Sequence, residues 1–148
     1  RLMDDLAERF QARAQAAGLV LRAEPSGEAI AALGDRAKTD QALQNIVDNA
    51  LKFTPQGEVV LNASAGESLV QIAIRDTGVG IPPQDLPRIF ERFYKVDRAR
   101  GRQVPGTGLG LAIARHLIEL QGGRLVAESR PGSGTTLRLF LPRSATVP

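Results

Sequence analysis

Apolar positions recur along this chain with two periods. Leu2, Leu6, Phe10, Ala14 and Ala17 return at helical spacing with charged residues between them, which predicts a first helix over residues 2–17, stopped by Gly18. Residues 19–24 alternate as a strand does, and Pro25 and Gly27 mark a turn. Asp35 is placed to cap a second helix, which runs to about Phe53 and ends before Pro55. Residues 57–65 and 68–75 then alternate as the arms of a hairpin, and residues 123–129 and 135–141 do so again. Between the hairpins lie a Gly- and Pro-rich loop at 76–83, a basic stretch at 95–105 without apolar period, and a third helix at 109–121 that Gly122 and Gly123 stop. Beyond Pro142 the pattern ends, and a disordered tail at 143–148 is expected.

Strands and helices do not alternate regularly, and hairpins dominate. That predicts a two-layer α/β sandwich: a mixed, mostly antiparallel sheet covered on one face by about three helices. The 148 residues suggest one domain, and 43% hydrophobic content is enough for a core. With no Trp and 4% aromatics, that core is built of Leu, Ile, Val and Ala.

Charge and composition exclude several classes. A net charge of +3 from 19 basic and 16 acidic residues is not that of a nucleic-acid binder. Without cysteine there are no disulfides and no thiolate metal site, which fits a reducing compartment. No apolar run approaches the roughly 20 residues that a membrane span needs, and no signal peptide is visible, so no direct membrane contact is expected. The chain opens on Arg1 rather than Met, which suggests a fragment of something longer.

Three places carry candidate chemistry. On the second helix, with Asn45 at zero, Asn49 falls near about +40° and Lys52 near about −20°. Gln41 and Asp48 flank this stripe, while Leu43, Ile46, Val47, Ala50 and Leu51 point the other way. Surface stripes favour Glu and Lys, so two mid-helix asparagines need another reason. An amide oxygen is a hard, neutral ligand suited to Mg²⁺, and Lys52 can meet a phosphate as a point charge. The second place is Asp76, which follows a strand directly, with Gly78, Gly80 and Ile81 behind it. Its carboxylate can accept two hydrogen bonds, and the glycines let the backbone approach a flat ligand. The third is Gly106, Thr107, Gly108, Leu109 and Gly110 at the start of the third helix, where free amides and the helix dipole form an anion site. Neither a Walker loop nor the dinucleotide fingerprint fits these glycines.

Together, in this order, residues 45–54, 76–81, 90–94 and 106–111 resemble the N, G1, F and G2 boxes of the histidine-kinase ATP-binding domain. That domain belongs to the superfamily that also holds gyrase, MutL and the 90-kilodalton heat-shock chaperone, with the Bergerat fold. The resemblance covers roughly residues 15–142. It implies Mg²⁺ on Asn49 with Asn45 close by, and phosphate contact from Lys52. It implies an adenine pocket in which Asp76 accepts from the exocyclic amine and Ile81 forms an apolar wall. Phe53 lies against adenine in the family, though ordinary core is equally consistent with it here. Thr135 resembles a threonine near the adenine, or is simply a strand start. Lys95, after Phe93 and Tyr94, stands where the family often places a cation for the γ-phosphate. Phe90 and Phe93 are expected to anchor a lid in the core.

The only histidine, His116, lies inside the third helix and is read as structural or surface. No His-Glu or His-Asp string is present, so the phosphoacceptor is expected on a separate helical hairpin of a dimeric parent. Residues 1–17 then read as a connecting helix, 18–142 as the ATP-binding domain and 143–148 as a tail. The implied function is a cytoplasmic sensor-kinase catalytic domain that binds Mg-ATP and passes the γ-phosphoryl to that histidine, upstream of a response regulator. The alternative is an ATP-sensing module of the same fold without phosphotransfer. Gyrase- and MutL-like ATPases carry an acidic general base on the asparagine helix. Here Asn45 occupies that position, and an amide cannot serve as a base.

Overall fold

A computed structural model of the chain describes residues 2–24, 34–94 and 109–143. The elements are α1 (Leu2–Ala16), β1 (Val20–Ala23), α2 (Arg36–Lys52), β2 (Glu58–Ala65), β3 (Leu69–Asp76), a 3₁₀ turn (Leu86–Arg88), α3 (Gly110–Glu119), β4 (Arg124–Arg130) and β5 (Gly134–Pro142). The strands form one sheet in the order β1-β2-β3-β5-β4, parallel between β1 and β2 and antiparallel elsewhere.

The alternation read from the sequence sets which face is covered. In register, Leu61, Ile74, Leu137 and Ala127 form one row across the sheet, and Ala63, Ile72, Leu139 and Leu125 form the next. These rows meet Leu43, Ile46 and Val47 of α2, Ala114 and Ile118 of α3 and Leu6 of α1 in a single core. Each fully buried aliphatic side chain contributes about 1.5–3 kcal/mol of transfer free energy. The other face keeps charges, among them the Arg138–Glu128 pair at 2.8 Å and Arg124 stacked 4.9 Å from the Phe140 ring centroid.

Asp35 caps α2 as its residue type predicts. Its side chain accepts from the Ala37 and Lys38 amides at 2.8 and 3.2 Å. Leu6 and Ala14 of α1 have no exposed surface and share the core with the sheet, so no break in packing falls at Gly18. Ala17 lies past the end of α1 and is exposed, because the helix stops at Ala16. The tail at 144–148 and the turn at Pro25 and Gly27 lie outside the described residues.

Candidate functional site

A third row across the sheet, one step beyond Leu61 and Ile74, reads Val59, Asp76, Thr135 and Ser129. The apolar pattern breaks there. Asp76 ends the central strand β3 on the helix-covered side and is only 6% exposed. Its Oδ1 accepts from the Gly78 amide at 2.9 Å and the Thr135 amide at 3.1 Å. Among the described residues no donor reaches Oδ2. Burial raises the carboxyl above its ordinary range, and the two amide bonds pull only partly the other way. A buried acid with one oxygen satisfied and one left over is an acceptor awaiting a donor.

The loop after Asp76 is held by backbone contacts that tolerate only glycine. A Cβ on Gly78 would fall inside the van der Waals shell of the Phe53 carbonyl oxygen, and one on Gly80, where φ is +76°, would meet the Arg130 carbonyl. In this chain the glycines therefore let protein backbone approach protein backbone, a use distinct from the close approach to a flat ligand that their lack of Cβ suggests. The Val79 amide donates to Phe53 O at 3.3 Å, and the Gly132 amide donates to Val79 O at 2.7 Å. The loop is thus tied to the end of α2 on one side and to the β4–β5 turn on the other.

Ser129 was not foreseen, although it shares the inward parity of Leu125 and Ala127. Its Oγ accepts from the Ile81 amide at 2.7 Å and donates to Gly134 O at 3.0 Å. With its single proton so used, the 2.8 Å contact to Thr135 must be donated by the Thr135 hydroxyl. The side chain of Ile81 is 7% exposed and joins the core.

The α2 stripe lies beside this floor. Asn45 and Asn49 are half-buried, and among the described residues neither side-chain amide has a partner. α3 begins next to Asn45: a Cβ on Gly110 would lie 3.9 Å from that of Asn45. The first turn of α3 therefore lies close to Asn45. Lys52 is paired, with Nζ 3.0 Å from Asp48 Oδ2. Phe53 caps α2, is partly exposed and stands outside the buried core.

The two F-box aromatics part company. Phe90 packs against the core, with Arg115 5.5 Å from its ring centroid. Phe93 does not: it is 69% exposed, and its left-handed φ of +64° turns the chain away from the core. The expectation that both rings anchor in the core therefore fails for Phe93. Tyr94 instead fastens this segment back on itself, donating to Asp85 with Arg88 stacked 4.6 Å from its ring centroid. His116 is exposed on α3. Lys95, Gly106, Thr107 and Gly108 lie outside the described residues. Among the described residues no group of three His, Asp or Glu is placed to hold a metal, and no helix is long and apolar enough to cross a membrane.

Buried acid, glycine loop and asparagine helix thus meet at one end of a mixed sheet, the arrangement of a nucleotide-binding α/β sandwich. Residues 34–145 match the family described as "Histidine kinase-, DNA gyrase B-, and HSP90-like ATPase", and the chain belongs to that family. It is 45% identical over 111 residues to the sensor histidine kinase WalK of Bacillus subtilis (strain 168), a match covering 73% of this chain and 18% of WalK. The chain therefore spans about a fifth of the length of that curated relative. Among solved structures it is similar to full-length ShkA in complex with AMPPNP (TM-score 0.88, 32% identity, covering 99% of this chain and 30% of that one). It is also similar to the mycobacterial sensor histidine kinase MprB (TM-score 0.80, 30% identity, covering 98% and 95%).

Proposed function

We propose that this chain is the ATP-binding catalytic domain of a sensor histidine kinase, passing the γ-phosphoryl of ATP to a histidine on a separate segment. The observation that carries the reading is Asp76. A buried carboxylate with its Oδ1 bonded to two amides and its Oδ2 left over selects a ligand edge that donates, as the exocyclic amine of adenine does. Ile81 and Phe53 supply apolar surface for the base, and Thr135 fixes Asp76 through its amide. The similarity to a kinase solved with AMPPNP supports the same ligand class.

The phosphates then run toward α2 and the start of α3. Asn45 and Asn49, half-buried and unpartnered among the described residues, suit Mg²⁺, a hard cation that takes few protein ligands and keeps its waters. The ion would neutralise phosphate charge. Lys52, Lys95 and the amides of Gly106, Thr107, Gly108, Leu109 and Gly110 would hold the remaining oxygens. Catalysis by these groups is positioning and charge neutralisation: the bond from Pγ to its bridging oxygen breaks as one to the acceptor nitrogen forms. The partners this implies are a helical hairpin bearing the phosphoacceptor histidine, in a dimeric parent, and a response regulator. The setting it implies is the cytoplasm.

Two measurements test the reading. Calorimetric titration with ATP should show binding that Mg²⁺ strengthens, and the phosphoacceptor hairpin of the parent, added in trans, should gain label from γ-labelled ATP. Absence of ATP binding at millimolar nucleotide overturns the nucleotide reading. Binding without labelling of the hairpin leaves an ATP-sensing module instead.

A further inference from the structure

Lys52 shares its carboxylate. Its Nζ lies 3.0 Å from Asp48 Oδ2, one helical turn back, while Asp48 Oδ1 accepts from Arg13 Nη1 of α1, 35 residues earlier. Arg13 lies over the ring of Phe10, 5.9 Å from its centroid, and α1 is seated by Leu6 and Ala14, both without exposed surface. One partly buried acid is thus held by two cations from different elements. α1 also lies outside the span matched by the family, which begins at residue 34.

The arrangement sets up a competition. An incoming phosphate and Asp48 both attract the Lys52 ammonium. With Arg13 in place, Asp48 keeps a cation when Lys52 leaves. Without it, departure of Lys52 strands a partly buried carboxylate, which costs free energy. We propose that Arg13 is a positioning residue for phosphate recognition: by holding Asp48 it releases Lys52 to the polyphosphate, so the seat of α1 sets the affinity for ATP. The inference rests on the reading of Lys52 as a phosphate contact.

The test is calorimetry on the full chain with Mg-ATP and with adenosine, which lacks phosphate, after circular dichroism has shown each variant folded. Arg13→Gln should weaken ATP by about threefold, the scale of one partly exposed ion pair, and leave adenosine unchanged. Arg13→Lys should restore ATP affinity. Asp48→Asn should bind ATP as well as the wild type or better, and adding Arg13→Gln to it should change nothing. The inference is overturned if Arg13→Gln leaves ATP binding unchanged, if it weakens ATP and adenosine alike, or if it acts equally in the Asp48→Asn background. It is also overturned if Asp48→Asn itself weakens ATP. Lys52→Met separates the two levels. If that variant binds ATP like the wild type, the phosphate role of Lys52 falls. If it weakens ATP while Arg13→Gln is silent, only the role of Arg13 falls.

Discussion

The two ends of the candidate site are built in opposite ways. At the Asp76 end every group is fixed before any ligand arrives: the carboxylate is bonded to two amides, the Gly78–Gly80 loop is pinned to Phe53 and to the β4–β5 turn, and Ser129 locks Ile81 to Thr135. At the α2 end the polar groups either have no described partner, as with Asn45 and Asn49, or hold one they must share, as with Lys52. The first end resembles a preformed pocket, whose ordering cost is met on folding. The second must rearrange, and its affinity depends on what its groups give up. Base recognition should therefore be insensitive to α1, while phosphate recognition should respond to it.

The largest break in this comparison is Asp76→Asn. The amide oxygen can still accept from Gly78 and Thr135, but its NH₂ replaces the free acceptor with a donor. Affinity for both ATP and adenosine should fall by about 10- to 100-fold, the range of a lost charge-assisted hydrogen bond. The fold should gain stability, because burial opposes the charged carboxylate that the variant lacks. Calorimetry and thermal melting read the two effects. Loss of stability together with loss of binding would show Asp76 to be a structural acid.

Gly80→Ala attacks the same end through the backbone. With φ at +76° and the Arg130 carbonyl in the way, the variant should lose about 1–3 kcal/mol in denaturant melts, with nucleotide binding weakened in step. A variant as stable as the wild type would show that the loop moves freely, and the preformed half of the comparison would go.

Asn49→Ala probes the other end. It should cost about tenfold in ATP affinity with Mg²⁺ present, change little without Mg²⁺, and leave adenosine untouched. A loss of the same size in the absence of Mg²⁺ would remove Asn49 from the ion.

Local chemistry was legible in the sequence, and long-range ties were not. Asp35 announced a cap, and alternation marked the apolar positions of β3 and β5 and put Asp76 directly after a strand; that it closes β3 on the helix-covered side is seen only in the structure. The asparagine stripe followed from helical spacing alone. Ser129 was missed because an inward serine near a strand end looks like surface until the register with β5 brings Gly134 and Thr135 to it. The glycine constraint at Gly80 needed Arg130, 50 residues on, and the Arg13–Asp48 tie needed the packing of α1. Phe93 was misplaced because aromatic character predicts burial, whereas its left-handed backbone decides its direction.

The smallest effect separates the fold from the site by pH. Asp35 and Asp40 titrate below the ordinary carboxylate range, Asp35 chiefly because the Lys38 amide bonds to it and Asp40 chiefly because Arg9 does. A depressed acid lends stability that is full above its unfolded pKa, near about 4, and is lost as pH falls toward the folded value. Asp76 is raised, so its sign is reversed: the folded state takes up its proton first, and acidification through that range stabilises the fold. The proton removes the acceptor that the base needs. Adenosine binding should therefore fade at a pH where the far-ultraviolet circular dichroism is still native, and unfolding should follow only at lower pH. Protonation of adenine itself adds a pH dependence of its own, which Asp76→Asn retains. The part that vanishes in that variant belongs to Asp76. If binding and fold are instead lost together, the Asp76 carboxyl is not raised, and the buried acceptor owes its character to its hydrogen bonds rather than to its burial.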